Sequence, residues 1–239
     1  MAYEDFTTYT EFDEGSAVTV DSATKVSWAS LKTRNETSYL YKDKGVNYFA
    51  GDFTHKFEIQ FSPMGDIAWS NHWMLSNTVG DTQDVMDASA DAYALFSYDN
   101  TEAIYLRLFE SGSMVDDSWA APGPQSSTIY YIEIVRDDDG GANSTGRVTA
   151  YIRTGSHSGV LRDTLVVDCS VGEQNNFRYI YGLATSDKND FEEGLATGFT
   201  QNLDIGEAVG WTGKISGVSS PAKVCGVAAA NITSVMGIS

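Results

Sequence analysis

Residues Tyr39 to Phe61 read YLYKDKGVNYFAGDFTHKFEIQF. The end of this stretch decides the fold class. Phe57, Ile59 and Phe61 fall on one side of an extended chain, and Lys56, Glu58 and Gln60 fall on the other. Side chains alternate across a strand, so a period of two marks a half-buried strand with its apolar side to a core. Upstream, the same stretch reads as a strand, a polar turn and a short aromatic segment.

The alternation recurs in both directions. Val18 and Val20 alternate with Thr19 and Asp21. Trp69 to Ser76 is a further strand, and Tyr93 to Tyr98 pairs with Ala103 to Glu110 across the turn Asp99-Asn100-Thr101. Ile129 to Arg136 and Arg147 to Arg153 flank DDDGGANSTG (137–146) as a hairpin. Val160 to Val167, Phe177 to Ala184 and Ala196 to Leu203 complete the strands. Residues 3 to 13 carry aromatics at a spacing of three, but their threonines favour an extended segment. Asn77 to Asp91 and Met114 to Gln125 read as loops. Many short strands between turns, without a convincing amphipathic helix, predict an all-β sandwich.

The chain has 239 residues, 33 acidic and 15 basic side chains and a formal net charge of −18. That charge repels nucleic acid and anionic membrane surfaces, so neither is expected as a partner. At 42% hydrophobic and 12% aromatic the chain can bury a sizeable core. Cys169 and Cys225 make no disulfide framework, and both read as reduced and packed. MAYEDFTTYTEF at the N-terminus has neither the basic region nor the apolar run of a Sec-type signal, and no apolar stretch is long enough to insert in a bilayer. The expectation is synthesis in a host cytoplasm, with release by lysis or as part of a particle.

The tail changes character. KISGV at Lys214, KVCGV at Lys223 and SVMGI at Ser234 repeat one small pattern, and aromatics stop at Trp211. Three such units are too short to hold a core alone. The expected division is a sandwich over 1–210 and a Gly-repeat attachment or assembly element over 211–239.

Most catalytic motifs fail on inspection. His55, His72 and His157 lie in no zinc-type grouping. GSHSG (155–159) has His157 where a nucleophilic Ser would stand. Asp137, Asp138, Asp139 and Asn143 offer oxygen ligands of the kind calcium takes. No bidentate Glu follows at the EF-hand distance, so the loop reads as a solvated turn and no cofactor is expected. The acids Asp81, Asp84, Asp87 and Asp91 read the same way.

One aromatic group points to sugars, whose C–H faces stack on rings while Asp and Asn bind their hydroxyls. Trp69, His72, Trp73, Tyr98 and Trp119 supply rings, and Asn71, Asp99 and Asn100 supply polar neighbours. The competing reading makes each ring a core or loop anchor.

In the order of these motifs the chain resembles the concanavalin A-like lectin/glucanase jelly roll in its LamG-like form, common in phage and metagenomic proteins. YKDKGVNYFAGDFTHKFEIQF, YYIEIVRDD with GRVTAYIRT, GVLRDTLVV, FRYIYGLATS and TGFTQNLDIG carry the likeness, over residues 3 to 210. The repeats KISGV and KVCGV look like the C-terminal tails of phage virion proteins. The resemblance implies an antiparallel two-sheet jelly roll and glycan affinity. Glucanases of the family place carboxylates on one strand as Glu-x-Asp-x-(x)-Glu; here Glu58 is followed by Gln60 and Ser62, and Glu133 has no carboxylate two residues away. The expectation is therefore a non-enzymatic virion protein of the fibre, decoration or receptor-binding type. Its partners would be surface glycans and, through the tail, other virion proteins or further copies of itself. A hydrolase or lyase built on Glu58 and Glu133, or a free carbohydrate-binding module, is the alternative.

Overall fold

The computed structural model describes residues 3–33, 36–63, 68–88, 90–98, 103–110, 112–120, 123–141, 144–170, 176–185 and 195–206, with four two-residue strands of the tail. In chain order the elements are β1 (Thr10–Asp13), β2 (Val18–Ser22), β3 (Lys25–Lys32), β4 (Ser38–Asp43), β5 (Phe53–Pro63), β6 (Trp69–Ser76), α1 (Thr82–Asp87), β7 (Ala92–Tyr98), β8 (Ala103–Glu110), β9 (Ser113–Trp119), β10 (Tyr130–Asp137), β11 (Arg147–Thr154), β12 (Val160–Asp168), β13 (Tyr179–Ala184) and β14 (Leu195–Asp204). They form two seven-stranded antiparallel sheets. The front sheet runs β1-β4-β13-β6-β7-β8-β9 and the back sheet β12-β11-β10-β5-β14-β3-β2. This is a jelly-roll β-sandwich, as the alternation and the resemblance require.

β5 lies in the back sheet between β10 and β14, while β4 and β6 before and after it belong to the front sheet. The stretch Tyr39 to Phe61 thus crosses from one layer to the other. Phe57, Ile59 and Phe61 point into the space between the sheets and are at most 2% exposed. Ile132 and Ile134 of β10, Val148 and Ile152 of β11 and Leu106 of β8 meet them in one core. Each such side chain contributes about 1.5–3 kcal/mol by leaving water.

Three expectations are corrected. Residues 3 to 13 are not wholly extended: Phe6–Thr8 form a 3-10 turn capped by Asp5, whose Oδ1 accepts from the Thr7 amide at 3.0 Å. Phe6 is thereby turned into the core. The acidic segment after Asn77 holds α1. Asp81 accepts from the Asp84 amide, and the Asp84 side chain accepts from the Asp81 amide, a capping box closed by two aspartates. A six-residue helix does not stand alone; this one is held by Val85, fully buried against Met74, Phe109 and Tyr181 on the outer face of the front sheet. Met114 to Trp119, read as part of a loop, belongs to the edge strand β9, whose solvent-exposed start shows no alternation.

In the tail, Lys214–Ile215 pairs with Val218–Ser219, and Lys223–Val224 pairs with Val227–Ala228. Both pairs are small sheets of their own, and neither joins the sandwich. The third repeat and Cys225 lie outside the described residues. Cys169 is buried and unpaired by any disulfide. Among the described residues no helix is long and apolar enough to cross a membrane.

Candidate functional site

β6 decides which of the expected site residues face outward. A strict period of two from Trp69 would put Trp69, Asn71 and Trp73 on one face. The pairing with β7 shifts between Asn71 and Trp73, which pair with the adjacent residues Phe96 and Leu95 and leave His72 as an extra residue. Such a bulge turns everything after it to the opposite face. Trp69 and Asn71 therefore face out, and Trp73 faces in.

Trp73 and His72 are corrected accordingly: both are 0% exposed and belong to the core. Trp73 Nε1 donates to His55 Nδ1 at 3.1 Å, and its ring stacks on Phe57. His72 packs against Trp28 and Phe61, with its Nε2 3.0 Å from the Ser97 hydroxyl. Burial holds both imidazoles, His55 and His72, down at about 3, so they are neutral packing groups. Trp119 sits on β9 opposite Ile104, edge-on to Tyr130 at 5.5 Å, beside a separate cleft of about 270 Å3 that it shares with Gln125 and Arg162. It does not join Trp69. Asp99 and Asn100 lie outside the described residues.

What remains outward on the front sheet is a shelf of rings. The register sets Trp69 opposite Tyr98, Phe96 between Asn71 and Tyr105, and Arg107 opposite Ala94. Phe96 is sandwiched: Trp69 stacks on one side at 5.4 Å and 12°, and Tyr105 on the other at 4.9 Å and 5°. Tyr98 closes the shelf edge-on to Trp69 at 5.2 Å. Trp69, Tyr98 and Tyr105 are half-buried.

Arg107 lies across these rings, 4.5 Å from the Phe96 centroid and 5.2 Å from that of Trp69. Its Nη2 donates to Asp116 Oδ2 at 2.8 Å, on the strand directly opposite. Burial pulls the guanidinium below its ordinary pKa, against the opposing pull of Asp116. Among the described residues, three polar atoms of this face are buried without a hydrogen-bond partner: Trp69 Nε1, Arg107 Nε and Asn71 Oδ1. Asn71 uses its amide hydrogens on Thr82 Oγ1 and the Ala184 carbonyl, which ties β6 to the start of α1.

A second group of rings lies on the same face beyond α1. Phe12, 44% exposed, stacks on Tyr39 at 5.2 Å and 16°. Tyr41 and Tyr179 continue it, edge to face at 5.7 Å. Neither this group nor Phe96, Tyr105, Arg107 and Asp116 was marked as a site by sequence reasoning. The available signal was the outward row Tyr105-Arg107-Phe109 in AIYLRLFE.

The carboxylates weighed for catalysis lie elsewhere, on the outer face of the back sheet. Glu58 faces Tyr131 and Glu133 faces Lys56, so the two glutamates are diagonal neighbours on β5 and β10. Glu58 accepts from Gln201 Nε2 at 2.7 Å and Asn202 Nδ2 at 2.9 Å. Glu133 lies between Lys56 at 3.1 Å and Arg153 at 3.0 Å. Gln60 is engaged with the Ser127 carbonyl at 2.7 Å. Both glutamates are held by side chains of their own sheet, as in a surface ion-pair network.

Among the described residues no cluster of three or more His, Cys, Asp and Glu side chains could hold a metal ion. In the loop after β10, Asp138 is bound by Arg136 at 2.6 Å, and Asp137 accepts from the Asp139 amide at 3.1 Å. Asn143 lies outside the described residues.

No known family and no characterised protein matches this chain by sequence. Solved structures do match it by shape. The Ca2+-bound exoplasmic/lumenal domain of VIP36 superposes with a TM-score of 0.51 and 8% identity, over 83% of this chain and 85% of that one. Lectin II from Ulex europaeus gives 0.50 and 7%, over 82% and 93%. The fold is concanavalin A-like. At these identities the likeness is one of fold, and the concanavalin A-like sandwich carries different sites in different proteins.

Proposed function

We propose that this chain is a non-enzymatic carbohydrate-binding protein, and that Trp69, Tyr98 and Tyr105, backed by the buried Phe96, form its glycan-binding surface. The observation that carries the reading is the stacked row Trp69–Phe96–Tyr105, whose outer members Trp69 and Tyr105 are half-buried with Tyr98 beside them. A pyranose ring offers a C–H face to such a shelf, and its hydroxyls both donate and accept. The likeness to a legume lectin in fold supports the reading. A hydrolytic role has less support, since Glu58 and Glu133 are engaged by side chains of their own sheet. A glycan array tests the proposal directly. Wild-type protein should bind a defined set of glycans, and Trp69→Ala and Tyr105→Ala should each lose roughly 1–3 kcal/mol of that affinity, the scale of a well-packed aromatic contact. Binding that survives both substitutions would place the site elsewhere.

The tail fits the same reading as an attachment element of a phage particle, with the sandwich as its receptor-facing part. Ile215, Val218, Val224 and Val227 are apolar, and their two strand pairs share no sheet with the sandwich. Isolated pairs of this size are unstable without a surface to cover them. Electron microscopy of particles from a source lysate, labelled with antibody to this chain, tests the assignment; unlabelled particles would refute it.

A further inference from the structure

Granting the sugar-binding role of the ring shelf, the electrostatics beside it bear on which sugars it takes. Arg107 is the cation of this shelf, and an arginine over aromatic rings would ordinarily draw an acidic sugar. Here its charge is already matched. Asp116 stands directly opposite on β9 and receives Nη2 at 2.8 Å, with its own side chain 33% exposed. The faces of the guanidinium are spent on Phe96 and Trp69. The protein as a whole carries −18.

The polar groups beside the rings differ in what a ligand can reach. Trp69 Nε1 and Arg107 Nε donate, while Asn71 Oδ1 accepts; Asn71 is 2% exposed and Arg107 6%. These three atoms are covered by protein and fix no ligand contact; the exposed polar group beside the rings is the Asp116 carboxylate, which can accept from a sugar hydroxyl. A carboxylate or sulfate on the shelf stands beside the Asp116 carboxylate, and the Arg107 charge that could offset the repulsion is already matched. We infer that the shelf selects uncharged glycans, and that Asp116 is the residue that excludes uronates, sialylated and sulfated sugars.

The test compares β-1,4-linked hexasaccharides of glucose and mannose with those of glucuronate and mannuronate, on an array that also carries neutral, sialylated and sulfated glycans. Wild-type protein should bind neutral glycans at least tenfold better than their acidic counterparts. Asp116→Asn keeps the shape and an acceptor for Arg107 but removes the charge. It should raise affinity for acidic members tenfold or more while changing neutral ones less than threefold. Arg107→Gln leaves the Asp116 charge uncompensated and should widen the wild-type gap. Thermal melts of each variant separate lost folding from lost discrimination. A wild type that prefers acidic glycans, or an Asp116→Asn ratio within twofold of wild type, overturns the role of Asp116 while leaving glycan binding standing. A folded wild type that binds no glycan of either kind overturns the sugar-binding reading itself, and this inference with it.

Discussion

The guanidinium of Arg107 lies over the ring of Phe96, 4.5 Å from its centroid. Phe96 is 2% exposed because Trp69, Tyr105 and Arg107 cover it. The shelf is therefore part of the fold as well as a surface. Phe96→Ala should cost about 3–5 kcal/mol of stability, the range for a buried aromatic, and remove glycan binding together with the stack. Trp69 is half-buried, so Trp69→Ala should cost less, about 1–2 kcal/mol from its ring contacts, while binding falls. Urea unfolding beside binding measurements separates the two. A large stability loss with unchanged affinity would make Trp69 a packing residue only.

A close approach at β13 gives a second prediction. A Cβ on Gly182 would lie 2.6 Å from the Phe6 ring. Phe6 is fully buried and anchored by the turn that Asp5 caps, so it has little room to move. Gly182→Ala should destabilise by about 1–3 kcal/mol, the usual cost of overpacking. In a Phe6→Ala background the same change should cost much less, and the double-mutant cycle should show that coupling. Additive effects would mean that the strand, not the ring, resents the methyl group.

Much of this architecture was legible from residue patterns, and the exceptions have causes. Phe57-Glu58-Ile59-Gln60-Phe61 gave the strand, its faces and the fold class, because each apolar side chain has one place to go. The bulge at His72 left no local trace. WSNHWMLS is apolar enough for either register, and only the pairing with β7 turns Trp73 inward. α1 was hidden because its cap uses Asp at both ends of the box and its buried stripe is little more than Val85. β9 was hidden because exposed edge residues need not alternate. The shelf itself needed three strands in register, Trp69 from β6, Phe96 from β7 and Tyr105 from β8, and no single stretch contains that arrangement.

The buried imidazoles set a pH dependence. His55 and His72 have pKa values lowered from 6.5 to about 3, chiefly by desolvation. The unfolded chain takes up protons at these positions below about pH 6.5, and the folded one does not until far lower. Their contribution to stability is thus fully present above pH 6.5 and is lost as pH falls towards 3. At pH 4.5 the loss is on the order of 2–3 kcal/mol per histidine. Carboxylates titrate nearby, so the informative quantity is a difference between proteins. His72→Gln should be less stable than wild type at pH 7, yet lose about 2–3 kcal/mol less between pH 7 and pH 4.5 in urea titrations. Parallel pH profiles for the two would refute the assignment.

The last prediction concerns residues 211 to 239. Both sheets of the sandwich are complete at β14, which ends at Asp204. The tail strands at 214–215, 218–219, 223–224 and 227–228 pair only with each other. Among the described residues the tail adds no strand to either sheet, and strands outside the sheets contribute little to the sandwich's own stability. Deleting 211–239 should therefore leave a folded β-domain whose melting temperature stays within a few degrees of the full chain, about 1 kcal/mol or less. If the tail is an attachment element, the same deletion should lower the oligomeric state or abolish incorporation into particles. The aliphatic residues Ile215, Val218, Val224 and Val227 then account for the lost contacts. Light scattering and thermal melting of the two proteins distinguish the cases. An unfolded truncation would show that the tail completes the core. A folded truncation with an unchanged assembly state and normal incorporation would remove the attachment role.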